Sequence, residues 1–268
     1  MLAAEPELAG ARNEKGQSAL LLTAYSGNKE LCDVLMACGV PLELHEAAAL
    51  GRLERVKQLV EEMPAEAKTY SPDGFPVFAL AAVFGHLEVA EYLFSKGAEV
   101  NAAATNGTGY NALTGAVASG HTAIVSWLLA NGADPNYRYG NGFSPLLTAA
   151  ANGHLGIVSI LLASGADLLA KTNDGKSALT FAQERGHAEV AEFLRSGQPL
   201  VQEEPGTIAW FGIQLGPTTF AIFDAFADDA GRDAHLSGKV AAALMAKAAD
   251  FFAEPPKIEK ADVLADKL

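Results

Sequence analysis

The sequence is poor in the features that staple, anchor or charge a fold. Cysteine is nearly absent, with only Cys32 and Cys38 in 268 residues. Two thiols so close together cannot staple a chain of this length, and they read as small buried hydrophobes in a reducing compartment. The longest apolar run, Phe75 to Phe84, is ten residues and contains Pro76. It is too short to cross a bilayer, so no membrane partner is expected. The start, Met1-Leu2-Ala3-Ala4-Glu5, lacks the cationic residues of a signal peptide, and the expected location is cytoplasmic. Positive charge is also scarce: 19 Lys and Arg stand against 32 Asp and Glu, a net charge of −13. The deficit is −8 before Gly197 and −5 after it. Neither part carries the basic stripe that phosphate binding needs, which argues against nucleic acid as a partner. Cys-x-x-Cys, a phosphate loop and His-Glu-x-x-His are all missing, and no metal or cofactor is expected.

A period is what the sequence does have. Gly-His recurs at Gly85-His86, Gly120-His121, Gly153-His154 and Gly186-His187, in steps of 35, 33 and 33 residues. Variants stand upstream at Gly27-Asn28 and Gly51-Arg52. An Ala-rich segment precedes each glycine and a second helical pattern follows it. Gly-Ala-Asp/Glu then closes the unit at Gly97, Gly132 and Gly165. Alanine lets two helices approach closely, and glycine supplies the left-handed residue that ends the first. Ser18, Ser144 and Ser177 are the expected N-caps, with Pro145 at the first helical position. No unit can bury its apolar stripe alone, so neighbours must stack. The recurring histidines stand about 10 Å apart in such a stack, too far to share a metal, and are expected to serve as structural hydrogen-bonding groups.

These residues resemble the ankyrin repeat over about residues 13–197, in six units, after an N-terminal segment 1–12. Ser144-Pro145-Leu146-Leu147 and Asn111-Ala112-Leu113-Thr114 depart from the family's Thr-Pro-Leu-His, and Leu44-His45 alone keeps its histidine. The short second step, from Gly27 to Gly51, implies that the hairpin between the first two units is missing. The resemblance implies a solenoid that binds another protein on its concave face. The residues following the hairpin glycines, among them Phe75, Tyr110 and Phe143, would project toward the ligand, with Phe84, Tyr139 and Asn152 close by. The opposing expectation is that these rings pack on one another and stiffen the fingers.

The period stops at Gly197. Ile208–Leu215 reads as a strand, Gly216-Pro217-Thr218 as a turn and Thr219–Phe226 as the hairpin partner. A helix is expected from Asp228 or Asp229 to Phe252, and a last strand over Ile258–Ala265. Glu204-Pro205-Gly206-Thr207-Ile208-Ala209-Trp210, Phe220 with Ile222–Phe226, Ala234-His235-Leu236 and Glu254-Pro255-Pro256 resemble the antibiotic-biosynthesis monooxygenase family. That family builds ferredoxin-like α+β domains that pair into a dimeric barrel.

The expectation is therefore a multidomain chain, an all-α ankyrin solenoid followed by an α+β domain over 188–268 that lacks its first strand. The two share a helix over 188–201, in an engineered or a natural truncated fusion. The functional reading is an interaction scaffold that forms a homodimer through residues 205–268. The alternative is a cofactor-free monooxygenase acting on quinols or polycyclic phenols. In that alternative His235 and Asp224 are the catalytic candidates, and Trp210, Phe220 and Phe226 line the substrate pocket.

Overall fold

A computed structural model describes residues 10–203, 207–216 and 219–226. The chain divides into two compact units, Met1–Arg195 and Ser196–Leu268.

Among the described residues of the first unit the α-helices come in six pairs. They are α1 Ala19–Ser26 with α2 Lys29–Ala37, and α3 Leu44–Ala49 with α4 Leu53–Glu62. Next come α5 Val77–Val83 with α6 Leu87–Ser95, and α7 Ala112–Ala118 with α8 Thr122–Ala130. The last are α9 Pro145–Ala151 with α10 Leu155–Ala163, and α11 Ala178–Glu184 with α12 Ala188–Glu203. The first helices are set by their caps. Ser18, Ser144 and Ser177 accept from the backbone N–H of Leu21, Leu147 and Thr180, and Pro145 sits in the first turn of α9. Asn111 caps α7 in the same way and closes a capping box with Thr114.

Successive first helices pack directly on one another, and small residues allow it. Ala47, Ala48, Ala81, Ala82, Ala116, Ala149 and Ala150 are all fully buried. At Gly115 of α7 an added Cβ would fall 2.1 Å from a Val83 methyl of α5, so that helix pair is as close as its backbones permit. The second helices contribute stripes such as Val89, Ala90 and Leu93, or Ile157, Val158 and Leu161.

Between pairs, isolated bridges mark the expected hairpins at Tyr70–Pro76, Tyr139–Phe143 and Lys171–Ser177, with another at Arg12–Ser18 before the first pair. None is recorded between α2 and α3, where six residues make the connection. The cysteines differ from expectation. Both are free and only half-buried, because α2 belongs to the first pair and no helix pair covers its outer side among the described residues.

In the second unit, β1 Thr207–Gly216 pairs antiparallel with β2 Thr219–Phe226, as a hairpin expected at those residues would. This ribbon is the sheet among the described residues. The expected helix after Asp228 and the strand after Ile258 lie outside the described residues. The helix expected over 188–201 falls within α12.

Candidate functional site

The hairpin tips and the C-terminal ends of the first helices carry two aromatic groups. The first joins three elements. Tyr25 of α1 stacks on Phe84 at 5.7 Å between ring centres and meets the edge of Phe75 at 6.4 Å. Phe75 and Phe84 are each half-buried against Leu21, Ala49 and Leu80, leaving part of each ring in solvent. Asp73, at the hairpin tip, organises the group. Its carboxylate accepts from Tyr25 Oη at 2.8 Å, Gln17 Nε2 at 2.9 Å and Ser71 Oγ at 2.5 Å. Burial works to raise the Asp73 carboxyl, but these bonds together hold it below the usual carboxylate range. Burial, with the Asp73 bond adding to it, raises the Tyr25 hydroxyl.

The second group lies further along the stack. Tyr110 packs on Tyr139 at 5.2 Å, Tyr139 lies 6.2 Å from Phe143, and Phe143 lies 5.2 Å from Phe181 of α11. Tyr137 stacks on Tyr139 at 6.4 Å. Tyr139 is only 8% exposed, its hydroxyl bonds Thr148, and burial pushes that hydroxyl up to about 12. It is therefore a support for its neighbours. Tyr110, 39% exposed, presents its ring to solvent. Asn152, at the end of α9, is exposed and donates to the Ala118 carbonyl of the preceding pair at 3.2 Å. The rings pack on one another; Tyr139 and Phe181 are buried, while Phe75, Phe84, Tyr110 and Phe143 keep exposed surface.

Three of the four Gly-His histidines make the same bond between repeats. Nε2 of His86, His121 and His187 bonds the carbonyls of Ala49, Val83 and Ala151 at 3.0, 2.9 and 3.0 Å. Each carbonyl belongs to the preceding pair, so the imidazoles tie neighbours together. Among the described residues no group of three or more His, Cys, Asp or Glu is arranged to hold a metal.

One cluster was not anticipated as a site. His45 is buried, with Nδ1 3.7 Å from Glu43 and Nε2 4.0 Å from Glu46, and Nε2 has no hydrogen-bond partner. Arg12 reaches Glu43 at 2.7 Å and Glu46 at 3.4 Å. Burial lowers the His45 pKa against the pull of Glu46 and Glu43. Leu44-His45 was legible as a motif remnant, but Arg12 arrives from a hairpin distant in sequence.

The catalytic candidates are not assembled within the described residues. Trp210 stands opposite Asp224 in the ribbon register, Gln214 opposite Phe220 and Thr207 opposite Phe226. Asp224 is therefore inside β2, two positions from its end, where a cap or turn residue would not sit. His235 lies outside the described residues.

A family model described as ankyrin repeats in three copies matches residues 44–139 and 116–202. The proteins named ankyrin repeat and SAM domain-containing protein 6 from Rattus norvegicus and Mus musculus are each 32% identical over 99 residues. That stretch is 37% of this chain and 11% of either relative, so the chain matches about a tenth of their length.

Proposed function

Because the chain belongs to the ankyrin-repeat family, whose repeats serve protein–protein interaction, we propose that its partner docks on the hairpin tips and first helices of the third to fifth pairs. The observation that carries this is the row of partly exposed rings, Phe75, Phe84, Tyr110 and Phe143, held in place by packing beneath them. Rings fixed in advance bury much area at little rotamer cost, which is the make-up of an interface hot spot. Asn152 stands at the edge of this surface as a polar contact.

We assign the repeat domain to 13–197, after a tail at 1–12, and a second domain to 188–268 that shares helix 188–201. The second domain serves as a homodimerising element through residues 205–268, which makes the whole a scaffold with two binding arms. Supporting this reading is the β1–β2 ribbon, since two strands by themselves are marginal in water and strand edges seek partners. Nothing in the described residues favours the monooxygenase alternative over the scaffold. Among them, no helix is long and apolar enough to cross a membrane.

The test is selection of a random-peptide phage library on the full chain, with Tyr110→Ala as the comparison. Tyr110 touches only Tyr139 among the rings, so its removal should spare the fold. Clones that bind the parent and lose about tenfold or more on Tyr110→Ala, with an unchanged melting temperature, are the expected result. Absence of any Tyr110-dependent clone would overturn the assignment.

A further inference from the structure

The chain is acidic, yet the three ring-bearing stretches of this face hold no charged side chain, and Asp73 and Arg138 stand at their edges. From Gly74 to Gly85, from Ala104 to Gly120 and from Tyr139 to Gly153 there is no Asp, Glu, Lys, Arg or His. Those three stretches are the hairpin tips and first helices of the third, fourth and fifth pairs. The adjacent Asp73 carboxylate is occupied by three neutral side chains, and the Arg138 guanidinium is bonded to the Lys171 carbonyl. A charged partner segment laid along the rings would lose its hydration and find no counter-charge within those stretches. Charge complementarity therefore selects an uncharged occupant.

Spacing defines it further. Phe75, Tyr110 and Phe143 each follow a left-handed hairpin glycine, Gly74, Gly109 or Gly142, so one ring recurs per repeat. Stacked helices stand about 8–10 Å apart. A polyproline II segment has three residues per turn and advances about 9 Å per turn, so every third side chain returns to one face with the period of the ring row. Its backbone makes no internal hydrogen bonds and its carbonyls need donors. The Tyr110 hydroxyl and the Asn141 side-chain amide, both on exposed residues, make no hydrogen bond among the described residues. Aromatic rings with adjacent donors are the surface on which proline-rich segments dock.

We infer that the occupant of this face is an uncharged, proline-rich segment of another protein in the polyproline II conformation, with a bulky apolar residue at every third position. The inference rests on the docking face proposed above and deepens it by naming the partner's chemistry.

The Tyr110-dependent clones from the phage selection supply the first readout. They should be enriched in proline, depleted in Asp, Glu, Lys and Arg, and show large apolar residues at a period of three. A synthetic peptide of about 12 residues, with leucine at every third position in a proline, alanine and glutamine background, is the second probe. It should bind the full chain about tenfold or more tightly than the same composition with leucine at every second position. Raising NaCl from roughly 50 to 500 mM should change its affinity by less than about twofold, because no ion pair is screened. Tyr110-dependent clones that carry charged motifs, or lack the period, overturn this inference and leave the docking face standing. Equal binding of the two peptides, or a steep salt dependence, overturns it as well. With no Tyr110-dependent clone at all, both fall together.

Discussion

At the scale of single residues, Tyr110 and Phe143 look alike in sequence and differ in the fold. Tyr110 rests one face on Tyr139, whereas Phe143 is wedged between Tyr139 and Phe181. Phe143→Ala should therefore cost about 1–3 kcal/mol in urea unfolding, less than the loss of a fully buried ring, while Tyr110→Ala stays within about 0.5 kcal/mol. Equal losses would mean that Tyr110 is a packing residue too. His45 gives a second residue-scale prediction. Its pKa is lowered in the fold, chiefly by burial, so between its folded pKa and the ordinary histidine value of about 6.5 the unfolded chain binds the proton that the native chain refuses. Stability is complete above the unfolded pKa and falls as pH drops below it. His86 acts in the same sense. The melting temperature should decline from about pH 7 to 5, and His45→Gln should flatten that slope. An unaltered slope would show that His45 is protonated without penalty.

At the scale of the element, the repeat joint is the glycine that ends a first helix and the imidazole that lies over it. Gly153 and Gly27 share the left-handed conformation, with φ of +75° and +66°. They differ in what lies above. An added Cβ at Gly153 falls 2.5 Å from the His187 ring, whereas at Gly27 nothing comes within 4 Å. Gly27→Ala should cost about 1–2 kcal/mol, the backbone term alone. Gly153→Ala should cost about 1 kcal/mol more, because His187 must leave the Ala151 carbonyl. Chemical denaturation of the two variants measures the difference. Identical costs would show that the imidazole shifts freely and that the joint is held by the helices alone.

At the scale of the whole molecule, the proposed dimer is open to direct measurement. Light scattering coupled to size exclusion should give twice the chain mass at micromolar concentration, and removal of residues 205–268 should give a monomer of the repeat unit. A monomeric full chain would end the two-armed scaffold reading without touching the docking face, since the two proposals rest on different residues.

The local sequence alone determined the helix pairs. Ser18, Ser144, Ser177 and Pro145 start helices through bonds made within three residues, and the glycines of the Gly-His pairs stop them through a backbone preference that needs no neighbour. The β1–β2 hairpin was legible for the same reason, its turn and both strands being contiguous. The condition of each candidate side chain was not legible. Tyr139 was indistinguishable from Tyr110 until packing buried one and exposed the other. Nor could residues 12, 43, 45 and 46 be seen to meet, because Arg12 reaches them only when successive units stack. Contacts within a few residues follow from propensity and capping. Burial, and pairing between units, depend on how closely the helices approach, and only the tertiary structure decides that.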